Sequence, residues 1–303
     1  MMRRSTESGQ SITTSSSINM SGRICMITGA SSGIGKATAL ELARMGATVV
    51  LVCRDRNRGE LVLDEIRQKH GNSPADLLVA DLLSQNSIRS LASQYIEKYE
   101  HLHVLINNAG AFFTRRRVTV DGIERTFAVN YIAHFLLTNL FLDVLKRSAP
   151  ARIINVSGSH HSKATINFDD LQGERHYSGS HAIAQSKLAE ILFTHDLARR
   201  LEGTRVTVNS LHPGVVATNL VDKDEDFPRL FKYLYKFIKP FLKSPAKGAE
   251  TTIFLASSPE VEDVTGQYYV NKKIIKSSLE SYDMATAERL WAVSASLTGL
   301  NIQ

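Results

Sequence analysis

Short apolar runs rich in β-branched residues recur along the chain, and between them lie longer stretches in which apolar positions return every three or four residues. The first pattern is that of a strand, the second that of an amphipathic helix. Strands are predicted at Ile24–Thr28, Thr48–Cys53, Asp76–Ala80, Val104–Asn107, Arg152–Ser157, Thr204–Leu211 and Gln267–Val270. Helices are predicted at Gly35–Met45, Arg56–His70, Leu83–Tyr99, Ile123–Lys146, Ala182–Arg200 and Ala246–Ala256. Several strands are apolar at consecutive positions, as strands covered on both faces must be. The alternation specifies an α/β fold, a single doubly wound parallel sheet of about seven strands with helices on both faces. Residues 1–20 are rich in Ser and Thr with few apolar anchors and read as a disordered leader, leaving 21–303 as one domain.

Composition narrows this only a little. With 43% hydrophobic and 22% charged residues in 303, the chain resembles an average soluble protein, which excludes disordered, collagen-like and disulfide-stapled classes. No window holds about 18 uncharged apolar residues, and the opening residues lack the apolar core of a secretory signal. A cytoplasmic protein is therefore expected, at most peripheral to an intracellular membrane. Cys25 and Cys53 lie inside apolar runs and read as reduced, buried thiols. The net charge of +6 is scattered, with neither a basic-aromatic groove nor metal-ligand spacing, so neither nucleic acid nor a metal is expected.

The first strand ends in Thr28-Gly29-Ala30-Ser31-Ser32-Gly33-Ile34-Gly35, which opens a helix. Glycines permit positive φ and close approach, while free N–H groups and the helix dipole favour a pyrophosphate. The second strand ends in Cys53-Arg54-Asp55, where a carboxylate at the strand tip would select a ribose 2′-hydroxyl. A guanidinium stands there instead, so a 2′-phosphate and hence NADP(H) is expected, unless Arg54 pairs with Asp55 at the surface.

Further motifs follow in order: Asp81-Leu82, Asn107-Asn108-Ala109-Gly110, Asn130, Ser157, Lys187, and Pro213-Gly214 with Thr218. Together they resemble the short-chain dehydrogenase/reductase family with its Rossmann-type sheet. Leu171-Gln172-Gly173-Glu174, the run Ser186–Thr194 and Arg289-Leu290-Trp291 are similar to its retinol-dehydrogenase-like branch. The resemblance implies that Gly29, Ser31, Ser32, Gly33 and Ile34 surround the pyrophosphate and ribose. Asp81 and Leu82 would contact adenine, Asn108, Ala109 and Gly110 would line the adenosine side, and Pro213, Gly214, Val216 and Thr218 would close over the nicotinamide. Each has a plainer reading as a turn glycine, a helix cap or a surface hydroxyl.

The family's chemistry implies hydride transfer coupled to proton transfer by a Tyr phenol, with a Lys four residues later lowering the phenol pKa and anchoring the ribose. The resemblance gives Ser157 the substrate oxygen, Lys187 the ribose and Asn130 a supporting water path. Ile183 stands where the Tyr belongs, and an isoleucine neither donates nor accepts a proton. Tyr177, His181, His160 and His161 are nearby in sequence. None is expected to replace the phenol, since neither Tyr177 nor His181 lies one helical turn from Lys187.

Residues 219–245 are read as a lid. Lys232, Lys236, Lys239 and Lys243 share one helical face, while Leu230, Phe231, Leu234, Ile238 and Phe241 take the other. An apolar underside implies a small lipophilic substrate of the retinoid, steroid or aldehyde class. The basic face allows peripheral membrane contact through 229–243. Members of the family commonly pair through the helix bearing Lys187, and either a monomer or a homodimer fits the sequence.

Overall fold

A computed structural model describes residues 18–71, 73–216 and 242–301. Strands β1 (Ile24–Thr28), β2 (Thr48–Cys53), β3 (Ala75–Val79), β4 (Val104–Asn107), β5 (Ala151–Val156), β6 (Val206–His212) and β7 (Tyr268–Val270) are all parallel. An eighth strand, β8 (Lys273–Ile274), pairs antiparallel with β7 and completes the order β3-β2-β1-β4-β5-β6-β7-β8. β8 is absent from the sequence reading because two exposed residues carry no periodicity; the turn at Asn271 and Lys272, both at positive φ, creates it.

Successive strand residues feed opposite layers, which explains the unbroken apolar runs. Met26, Val50, Val52, Leu105 and Ile153 pack into one core, while Cys25, Ile27, Val49, Leu51 and Ile154 pack into the other. The first core is covered by α3 (Gln85–Lys98), α5 (Ala133–Arg147), α6 (Gly179–Arg200) and a C-terminal helix, Met284–Thr298. The second is covered by α1 (Gly33–Arg44), α2 (Arg56–His70) and the helix Pro245–Ser257.

Two expectations are corrected, and one falls outside the described residues. Met20 belongs to the domain, since its side chain is buried and its N–H donates to Met45 O at 2.8 Å. The helix expected over Ile123–Lys146 begins as α4 (Arg125–Phe127) and passes through a π-helical turn at Ala128–Ile132 before α5. The continuous segment Arg125–Arg147 is long and apolar enough to cross a membrane, but 72% of its apolar window is buried in the protein, as befits a core helix. Thr218 and 219–241 of the expected lid, with Lys232, Lys236 and Lys239, lie outside the described residues.

Candidate active site

The chain reverses its direction of winding between β1 and β4, and a crevice opens at their carboxyl ends. Gly29 there has φ +68° and Gly33 +59°, backbone that other residues adopt only under strain. A Cβ on Gly29 would lie 3.0 Å from Ala109 Cα, and one on Gly35 would lie 2.5 Å from the Gly29 carbonyl oxygen. Thr28, which the sequence reading passed over, ties the two strand ends together. Its Oγ1 accepts the N–H groups of Asn108 at 2.9 Å and Ala109 at 3.0 Å, and its carbonyl accepts Asn108 Nδ2 at 2.7 Å.

Two adjoining cavities occupy the crevice. One of about 690 Å³ runs past the ends of β2 and β3 and is walled by Ser31, Cys53, Arg54, Arg58, Asp81 and Leu82. The other, about 320 Å³, lies over the ends of β5 and β6 against Ser157, His160, Ile183, Lys187 and His212. Gly29, Ser32, Ala109, Gly110 and Ala111 line both. Gly33, Ile34, Asn108, Pro213, Gly214 and Val216 join the smaller one. A Cβ on Gly214, at φ +90°, would lie 2.7 Å from Lys243 Nζ.

At the β2 tip Asp55 is engaged away from Arg54. It caps α2 by accepting the Arg58 N–H at 3.1 Å, and its other oxygen lies 3.6 Å from Arg58 Nε. The Arg54–Asp55 pair weighed above is thus not formed, and Arg58 adds a second guanidinium to the same cavity. Asp81 shapes its turn by accepting the Leu83 N–H at 3.0 Å, while the cap of α3 falls to Ser84.

In the smaller cavity Ile183 is 7% exposed, one turn before Lys187 on α6. The Lys187 ammonium donates to Val156 O at 2.8 Å and to Glu190 Oε2 at 2.6 Å. Ser157 Oγ donates to the Lys187 carbonyl at 2.8 Å, so its single hydrogen points at the protein. Asn130, in the π-helical turn, has its side chain fully engaged. Its Nδ2 donates to Ala111 O at 3.0 Å and to Ser186 Oγ at 3.1 Å, and Oδ1 accepts the Ala111 N–H at 2.8 Å. The fold therefore brings Asn130, Ser157, Ile183 and Lys187 to one wall.

The histidines divide by role. His160 faces the cavity, and burial together with the Lys187 charge holds its imidazole below the ordinary range. His161 is buried, with Nδ1 2.7 Å from the Gly158 carbonyl oxygen and Nε2 accepting the Ser278 N–H at 3.2 Å, a packing role. His212 is pushed down to about 4 by burial and by Lys243. In the chain it directly precedes Pro213-Gly214. Tyr177 lies away from this cavity, its hydroxyl 2.9 Å from Phe113 O and 3.1 Å from Glu124 Oε1, and His181 is exposed.

A parallel sheet with a glycine turn at its switch point, joined to a Ser-Lys-Asn wall, defines a nucleotide-dependent oxidoreductase of the Rossmann type. The sequence model of the short chain dehydrogenase family matches residues 23–228, and the chain belongs to that family. It is 45% identical to human retinol dehydrogenase 14 over 93% of this chain and 88% of that protein. It is 43% identical to human retinol dehydrogenase 11 over 95% and 89%, which places it on the retinol-dehydrogenase-like branch. Among solved structures, a protein from Mycobacterium paratuberculosis superposes with TM-score 0.75 at 31% identity, covering 94% of this chain and 96% of that one. A short chain dehydrogenase from Escherichia coli CFT073, complexed with NADPH, gives TM-score 0.64 at 25% identity over 82% and 96%. The family binds NAD(P), and the two-part cavity with its glycine turn fits a dinucleotide.

Proposed function

We propose that this chain is an NADP(H)-dependent oxidoreductase for lipophilic carbonyls or alcohols of the retinoid, steroid or aldehyde class, impaired at the proton-transfer position. Arg54 and Arg58 would receive the 2′-phosphate. Ser31 to Ile34 would hold the pyrophosphate, Asp81 and Leu82 the adenine, and Lys187 the nicotinamide ribose. When bound, the cofactor supplies or accepts the hydride. The retinol dehydrogenase names of the relatives support the lipophilic substrate class.

The observation that carries the reading is Ile183 on the cavity wall one turn from Lys187. Among the described residues no phenol takes its place in this cavity, and a positioned acid contributes ~10²–10⁴-fold. His160, depressed by burial and by Lys187, is a poorly charged donor at neutral pH. The test follows NADPH oxidation by a panel of aldehydes and ketones, retinal included, for the protein and for Ile183→Tyr. Turnover in the variant alone is expected, with a gain of about 100-fold or more over the parent. Brisk turnover by the parent would sink the reading of a lost acid.

A second reading, a non-catalytic NADP(H)-binding protein, is favoured by how the polar groups pair. The Ser157 hydrogen and two of the Lys187 donors are all taken by protein acceptors. It predicts that both proteins are inert while NADPH raises the melting temperature of each.

A further inference from the structure

We propose that Glu190 is a positioning residue that compensates the charge of Lys187, so that the cavity wall presents a neutral pair in place of a free ammonium. Its significance rests on the reading above; its test does not.

Lys187 has three N–H donors, of which one goes to the Val156 carbonyl and one, at 2.6 Å, to Glu190 Oε2. The Glu190 side chain is fully buried and that of Lys187 is 12% exposed, so water screens the pair little. The carboxylate is also held from a second helix. Its Oε1 lies 2.9 Å from His134 Nδ1 on α5, and His134 is itself buried. Two partners on two elements hold the carboxylate, so releasing Lys187 would also break its contact with His134. A buried carboxylate is costly unless paired in this way.

The consequence falls at position 183. A cation lowers the pKa of a neighbouring acid only in so far as its field is uncompensated. With Glu190 adjacent, that field is reduced to the field of an ion pair. The chain thus lacks the phenol its family resemblance implies at 183 and sets a countercharge at 190 against the ammonium. A Tyr restored at 183 would meet an ammonium already neutralised.

The test uses Ile183→Tyr as a probe and reads the phenolate absorbance of that residue, as the difference from the parent, through alkaline pH. The same titration is run with Glu190→Gln and with Glu190→Asp added. Among the described residues, the other charged or titratable groups facing the site are Lys187 on its own helix, His134 on α5 against Glu190, and His160 and His212 across the cavity, with Lys243 beside His212. They are common to all three proteins, so the difference isolates position 190. Glu190→Gln is expected to lower the phenol midpoint by about 1 pH unit, and Glu190→Asp to leave it near that of the single variant. Equal midpoints for Glu and Gln would overturn the proposal, as would an equal drop with Asp.

Should Glu190→Gln fail to fold, the parent answers by nuclear magnetic resonance. The Lys187 ammonium, assigned by its loss in Lys187→Met, is expected to exchange its hydrogens far more slowly than surface lysines. Exchange as fast as theirs would overturn the pairing. Neither readout involves cofactor or turnover, so failure here and failure of the NADP(H) reading are separately visible.

Discussion

The Ser157 hydroxyl donates to the backbone carbonyl of Lys187 at 2.8 Å, joining the end of β5 to the middle of α6 across 30 positions of chain. Its hydrogen must rotate away from that carbonyl before it reaches any ligand oxygen in the cavity. The bond therefore contributes to the folded state, and Ser157→Ala is expected to destabilise the protein by about 1 kcal/mol. Urea denaturation of the two proteins measures this; equal midpoints and slopes would show that the bond contributes nothing.

Gly35→Ala tests the closeness of the glycine turn. The added methyl would lie 2.5 Å from the Gly29 carbonyl oxygen, a backbone atom that moves only if the turn opens. A loss of about 1–3 kcal/mol in stability is expected. NADPH affinity, followed by fluorescence titration, should fall together with it, because the opened turn no longer presents its N–H groups to one point.

Arg54→Ala addresses cofactor choice. Asp55 is occupied with the N-terminus of α2, so Arg54 is left to face the larger cavity. NADPH binding is expected to weaken roughly 10-fold or more, while NADH binding changes little, since only the former carries the 2′-phosphate. Arg58→Ala should act in the same direction. Paired titrations with the two cofactors decide it, and equal weakening of both would count against NADP(H).

His212 gives a pH dependence with a definite sign. Its imidazole is held at about 4 in the folded protein against an ordinary 6.5, chiefly by burial. Above about pH 6.5 both folded and unfolded chains carry the neutral ring. As the pH falls from there towards 4, the unfolded chain takes a proton that the folded one refuses, so stability is lost in that window. His103, His160 and His195, all shifted downward, act in the same sense. His212→Gln should therefore lose less stability than the parent between neutral pH and about pH 5, measured as the change in urea midpoint. An identical loss in both proteins would remove His212 as a cause.

Much of the architecture was legible in the order of residues. Alternating inward and outward positions in Cys25, Met26 and Ile27 reach two separate cores, and that two-sided burial is what an unbroken apolar strand encodes. The glycine turn was legible too, because Gly29 and Gly33 at positive φ are local backbone requirements that only glycine meets freely. Ile183 was visible by its fixed helical distance from Lys187, which needs no tertiary information.

What stayed hidden depends on contacts between distant segments. Glu190 reads from the sequence as one more residue of a helix, and only the packing of α5 against α6 sets His134, 56 positions away, on its second oxygen. Tertiary structure likewise decided that Asp55 caps a helix instead of pairing with Arg54, that Met20 is part of the core, and that β8 exists at all. Sequence periodicity and spacing determine which faces are buried and which turns can form. The partner of a buried charge is decided by whichever element arrives opposite it, and that depends on the whole fold.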